Sequence, residues 1–178
     1  MKKYPELNVD FHSTVKLSQN DKRKINQWLE WAKRSLKDYP FIHPKWLNVE
    51  RIHLSILLCG EQKIKNLNAQ HRNKDKVTDV LSFPAHQNLR KAPKMTDQFP
   101  DLFLGDLVIC HQKVKTQASE FQISYMDEFI HLFIHGLLHL SGFDHEISRK
   151  EEVIMEECEK VLLDRFSKIK RRALSGPS

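Results

Sequence analysis

Three histidines within a single short stretch are the most chemically loaded feature of this chain: residues 135–145 read H-G-L-L-H-L-S-G-F-D-H. His135 and His139 stand four apart. On a helix they would lie about 400° around and ~6 Å along, on one face and one turn apart, where both imidazoles can reach a single ion. His145 follows six residues later. On a continuing helix it would fall roughly 240° from His139, so it can join the pair only if the chain reverses. Gly142 stands where that reversal has to occur, because glycine takes the left-handed conformation that ends helices at little cost. Three neutral imidazoles leave a fourth tetrahedral position for water, the pattern of a catalytic zinc site and not of a closed structural one. Zinc (Zn2+) is the expected ion, with nickel or another divalent transition metal also compatible with imidazole.

Two neighbours could assist. His131, four residues before His135, should share its helix face. About 12 Å separates it from His139 along the axis, too far for both to hold one ion, so it is expected to support a ligand, to face the substrate or to pack in the core. Asp144, beside His145, could orient a ligand imidazole through its ring N–H or simply sit in the turn. The spacing H-x-x-x-H-x-x-G-x-x-H is similar to that of metzincin peptidases. In those peptidases a Glu follows the first histidine and acts as general base. Here Gly136 occupies that position and can transfer no proton, so proteolysis is the second reading of the site.

These residues need a helix to carry them and a scaffold to hold it. Ser124-x-x-Asp127 has the form of a capping box and opens a helix running to Leu140, and Ser148-x-x-Glu151 opens a last one. Ahead of them, an extended start around Leu7–Phe11 leads to Ser18-x-x-Asp21 and a first amphipathic helix on Ile25, Trp28, Leu29, Ala32 and Leu36, ending near Pro40. Alternating Ile52, Leu54, Ile56 and Leu58 predict a strand closed by Gly60, and a second helix then runs to about Arg72. Thr78–Phe83 and Leu102–Cys110 read as strands, with Pro84 stopping the first and a long surface loop between Ala85 and Asp101. A short helix follows near Gln112–Ser119. The order β-α-β-α-β-β-α-α-α predicts an α+β fold, a small mixed sheet of about four strands with about five helices packed on it. Residues 1–166 are expected to form a single domain, and residues 167–178 a basic, disordered tail.

With 178 residues, 40% of them hydrophobic and 29% charged, the chain has the composition of a globular domain and not of a disordered or fibrous one. No apolar run approaches the ~18 residues of a membrane span, and the N-terminal residues have no apolar secretory core. Cys59, Cys110 and Cys158 are odd in number and sit in apolar stretches, which predicts reduced thiols and a cytoplasmic protein. The net charge of +6 is unevenly spread: residues 1–100 carry 19 Lys and Arg against 10 Asp and Glu, and residues 101–178 carry 10 against 13. A basic half would attract a polyanion, although a solubilising surface has the same composition.

Three blocks together resemble one family. H-G-L-L-H-L-S-G-F-D-H at 135–145, H-R-N-K-D-K-V-T-D-V-L-S-F-P at 71–84 and L-G-D-L-V-I-C at 104–110 are similar to the YbeY-type endoribonucleases, the rRNA maturation factors of bacteria and organelles. Phe143 replaces a tyrosine more usual in the last block, and His71 stands where an aromatic is common. The resemblance implies a zincin-like α+β fold and metal-dependent cleavage of single-stranded RNA. It also implies a part in maturing the 3′ end of small-subunit rRNA and in ribosome quality control, with rRNA and the small ribosomal subunit as partners. It carries the metal triad onto His135, His139 and His145, and an important arginine onto Arg72.

Phosphodiester hydrolysis develops charge on phosphoryl oxygens, so a fixed cation beside the metal is needed. Arg72 can supply it, because a planar guanidinium holds two phosphate oxygens and stays charged. Its other role would be to complement the C-terminal dipole of its helix. Lys74 and Lys76 could guide the RNA backbone or be solvated loop lysines, and His131 could touch substrate. Asp79, Ser82 and Asp106 are expected to make strand-end hydrogen bonds. In a non-catalytic reading the metal only stabilises a ribosome-assembly factor.

Overall fold

Each expected capping box starts a helix. In this computed structural model, which describes residues 5–36, 49–87, 89–90 and 100–175, the hydroxyls of Ser18, Ser124 and Ser148 accept from the amides of Asp21, Asp127 and Glu151 at 3.1, 3.1 and 3.2 Å. These bonds satisfy N–H groups that a first helical turn leaves without partners. The elements follow the expected order: β1 (Glu6–Ser13), α1 (Gln19–Leu36), β2 (Arg51–Cys59), α2 (Glu61–Arg72), β3 (Val80–Pro84), β4 (Asp101–Cys110), α3 (His111–Glu120), α4 (Tyr125–Leu140) and α5 (Arg149–Ser175). The expected end of α1 near Pro40 and much of the loop after Ala85 lie outside the described residues.

The strands form a sheet in the order β1-β2-β4-β3. β1 pairs parallel with β2 and β2 with β4, while β3 runs antiparallel to β4, so the sheet is mixed as expected. Alternate residues of a strand point to opposite faces. Thus Ile52, Leu54, Ile56 and Leu58 of β2 join the main core with Phe129, Phe133 and Leu137 of α4. On the other face Cys59 meets Ile64 of α2 with Leu81, Val108 and Cys110. The result is an α+β, zincin-like arrangement of four strands and five helices among the described residues. No described helix is long and apolar enough to cross a membrane.

Helix α4 is the element that matters for chemistry. It buries Phe129, Ile130, Leu132, Phe133, Ile134, Leu137, Leu138 and Leu140, and leaves His131, His135 and His139 half-buried along one line. Gly136 shows how tightly it rests on the sheet, since a Cβ there would lie 2.7 Å from Leu107 Cδ2 of β4 and 3.4 Å from Ser82 Oγ of β3. The helix stops where the sequence requires. Gly142 has φ +90°, its N–H donates to His139 O at 3.0 Å, and the Phe143 N–H reaches back to Leu138 O at 3.0 Å, a helix-ending turn that only glycine, with no Cβ, forms without strain.

Helix α5 runs further than the sequence suggested. The basic stretch expected as a loose tail is helical to Ser175. Ile169 packs against the main core, and Lys170 Nζ lies 2.8 Å from Asp127 Oδ1 and 4.4 Å above the Trp28 ring. Its charges obscured an apolar stripe that Phe166 and Ile169 continue.

A methyl group at position 142 would sit 3.0 Å from the Arg90 amide nitrogen and 3.1 Å from that of Leu89, on a backbone already at positive φ. Gly142→Ala is therefore expected to lower unfolding free energy by about 1–3 kcal/mol, measured by urea denaturation. An unchanged midpoint would mean that the turn is not strained.

Candidate metal centre and its cleft

The reversal at Gly142 brings the third imidazole back to the other two. Ring centroids are 4.8 Å apart for His135 and His139, 5.0 Å for His139 and His145, and 5.4 Å for His135 and His145. One ring nitrogen from each lies within 4.8 Å of the others. His135 Nε2 and His139 Nε2 face each other at 3.2 Å. Two nitrogens bound tetrahedrally at ~2.0–2.1 Å would be about 3.3 Å apart, so the donor set fits one ion. Burial, reinforced by the neighbouring His135 and His145, brings the His139 imidazole down to about 4. It is therefore neutral near neutrality, the state in which imidazole can bind a metal.

A carboxylate behind His135 sets the direction of that ring. Glu159 of α5 accepts from His135 Nδ1 at 3.0 Å, which leaves Nε2 facing His139. His131 Nε2 approaches the same Glu159 oxygen at 3.8 Å, and its Nδ1 donates to Glu128, a carboxylate only 1% exposed, at 3.3 Å. The hydrogen bonds to Glu128 and then Glu159 push His131 up to about 10, so it is an imidazolium at neutral pH. Burial alone would raise the Glu159 carboxyl. The bonds from His131 and His135 outweigh it and hold the group down at about 2.

In front, the rings open on a cleft of about 560 Å³ whose wall also includes Arg72, Asp79, Ser82, His86 and Gln87. Arg72 is placed by the end of α2. Asn73 adopts φ 55° and its N–H donates to Asn68 O, while the buried Asn68 side chain donates to Lys76 O at 2.8 Å. One residue earlier, His71 packs edge-on against Phe83 of β3 with centroids 5.1 Å apart. No carboxylate among the described residues pairs with the Arg72 guanidinium, so it is available to an anion.

Other expected residues sit elsewhere. Lys74 and Lys76 are exposed on the loop after Arg72, and neither they nor His131 belong to the described wall of the cleft. Asp144 does not orient a ring: its Oδ1 accepts from the Glu146 amide at 2.9 Å and closes the turn around His145. Asp106 pairs with the Ser55 hydroxyl, and Ser82 is buried beside Gly136. Asp79 accepts from Gln117 Nε2 at 2.9 Å, from the Val80 amide at 2.8 Å and from the Thr78 hydroxyl at 3.1 Å. Burial pushes its carboxyl up, yet these bonds prevail and the net shift is downward.

Sequence reasoning missed Glu159, Glu128, His86 and Gln87. Glu159 lies 24 residues beyond the histidine it holds, too far for any helical spacing to connect them. One signal was available: Glu159 stands on the inward stripe of α5 with Met155 and Leu162, where a charged residue needs a partner.

Comparison with known proteins places this geometry in context. The family described as Endoribonuclease YbeY matches residues 12–167. A protein of Leptospira interrogans named Endoribonuclease YbeY is 42% identical over 130 residues, covering 66% of this chain and 92% of that one. One of the same name from Mycoplasmopsis pulmonis is 35% identical over 148 residues, covering 83% and 95%. A solution structure of a Thermotoga maritima protein superposes with a TM-score of 0.55 at 26% identity, covering 96% of this chain and 97% of the other.

If Glu159 holds the His135 ring for a metal, Glu159→Gln should weaken zinc binding about 10- to 100-fold. Calorimetric titration of the metal-free protein measures this directly. Equal affinities would reduce Glu159 to a packing partner.

Proposed function

The chain belongs to the YbeY endoribonuclease family, and on that premise we propose that it is a zinc-dependent hydrolase that cuts single-stranded RNA internally. Its cellular role in this proposal is maturation of the 3′ end of small-subunit rRNA and ribosome quality control in the cytoplasm, with rRNA and the small ribosomal subunit as partners. The observation that carries the reading is the meeting of three converging imidazoles and an uncommitted arginine on one cleft.

His135, His139 and His145 would hold the ion, with zinc favoured by the tetrahedral spacing and nickel or another divalent metal also accommodated. When bound, the ion supplies a Lewis acid that makes water a competent nucleophile at neutral pH. The remaining work belongs to the chain. Arg72 grips two phosphoryl oxygens and offsets the charge that builds on them, which a guanidinium does without losing its own proton. Glu159 keeps His135 in one tautomer and orientation. Lys74 and Lys76, exposed just past Arg72, are placed to attract the phosphate backbone outside the cleft, and His131 acts on the site through Glu159.

The peptidase reading is disfavoured by packing. The residue that would serve as general base is Gly136, and a Cβ there would lie 2.7 Å from Leu107 Cδ2, so a Glu could be seated only if Leu107 gave way. The alternative of a non-catalytic, metal-stabilised assembly factor differs from the proposal in one measurable respect, the dependence of RNA cleavage on the ion.

His139→Ala should remove most bound zinc and cut cleavage of an unstructured oligoribonucleotide at least about 10³-fold, with the far-ultraviolet circular dichroism retained. Cleavage by a metal-free preparation at the rate of the loaded protein would overturn the metal mechanism. Arg72→Ala should lower kcat about 10²- to 10³-fold at unchanged zinc content, the usual cost of losing one charge-stabilising donor. A rate within a factor of two of wild type would remove Arg72 from the reaction.

A further inference from the structure

One cleft residue has no task yet. His86 lies two residues past β3, half-buried, and lines the same cleft as the three converging histidines and Arg72. Its loop is pinned on both sides. Before it, the Ala85 amide donates to Leu104 O at 2.9 Å. After it, the Leu89 and Arg90 amides lie against Gly142, and the Arg90 guanidinium both bonds Glu151 at 2.6 Å and covers the Phe143 ring at 4.1 Å. His86 itself makes no hydrogen bond, ion pair or ring contact with any described residue. The backbone around this half-buried ring is held in place, and among the described residues the ring has no partner, so its nitrogens are free to meet a group that enters the cleft.

Phosphodiester hydrolysis also needs a proton donor. An alkoxide is a poor leaving group, and general acid catalysis of its departure contributes typically ~10²–10⁴-fold. The other groups on the wall are already engaged. Asp79 is held as an acceptor by Gln117, Val80 and Thr78, and Asp144 closes its own turn. Glu146 is exposed to bulk water at the rim, and a guanidinium such as that of Arg72 does not release its proton. Imidazole is the side chain that gives and takes protons near neutrality.

We propose that His86 is the general acid of the reaction, donating its proton to the departing ribose oxygen. This rests on the nuclease reading above. As the oxygen of water bonds to phosphorus, the bond from phosphorus to the ribose oxygen breaks. The leaving oxygen takes the imidazolium proton of His86, and the attacking water releases a proton to solvent, from which His86 is recharged. The net change consumes one water and yields a phosphate monoester and a hydroxyl.

The test uses His86→Ala in the full chain with two oligoribonucleotides. One has the natural linkage and the other has sulfur in place of the leaving oxygen, at the bridging position identified by end analysis of wild-type products. A thiolate departs without protonation. His86→Ala should slow the natural substrate ~10²- to 10⁴-fold, leave the sulfur substrate within a few-fold of wild type, and bind zinc as tightly as wild type. Equal rates on the natural substrate overturn the proposal, and so does equal slowing on both, which would mark a binding role. Weakened zinc affinity also overturns it and makes His86 a ligand. Failure of the wild-type chain to cleave RNA at all would remove the nuclease reading and this inference with it, whereas cleavage with an unaltered His86→Ala rate removes this inference alone.

Discussion

Helix α4 is enclosed on every side but one, and the open side is a line of histidines, His131, His135 and His139, one turn apart. The constraint is steric as well as hydrophobic. Phe129 and Phe133 are fully buried, each contributing on the order of 1.5–3 kcal/mol, and Gly136, with no side chain of its own, lets the helix settle directly onto Leu107 of β4 and Ser82 of β3. A helix seated this firmly cannot rotate. The direction of its histidine line is therefore set by the core, and the chemistry inherits that precision.

Burying polar groups beside such a core is costly unless they are paired. The fold meets this by answering each imidazole differently. His131 lies between Glu128 and Glu159 and is held charged, while His139, eight residues on along the same face, is held neutral by burial and by the neighbouring imidazoles, which outweigh the opposing pull of Asp144 and the Phe143 backbone. One residue type thus serves two purposes: a fixed cation that anchors a carboxylate, and an uncharged donor suited to a metal. Glu159 ties the charged His131 to His135, the imidazole that faces His139.

Much of this was legible in the sequence, and the division follows the range of the interactions. Helix starts were visible because a serine cap and the amide it satisfies are three residues apart. The convergence of His135, His139 and His145 was visible because helical spacing and one glycine decide it within a few turns. Glu159 was visible only as a charge on the inward stripe of α5, without its partner, and His86 not at all, because both come to the cleft region through tertiary packing. For Asp144 the sequence left two roles open, and the structure shows the turn: an aspartate there bonds readily to the amide two residues on. The basic run near the end looked unstructured by charge alone, although Lys170 spends its charge on Asp127 and lays its stem over Trp28.

The near-total enclosure of α4 has a consequence for how the chain comes to be folded. Its covering sheet is assembled from parallel pairings of β1 with β2 and β2 with β4, contacts between segments far apart along the polypeptide, which form slowly because the intervening loops must close first. Until they do, a greasy segment with few charges stands uncovered, and such segments invite self-association at high protein concentration. Dilution and low temperature during refolding should therefore matter more to the yield of active protein than the stability of the finished native state would suggest.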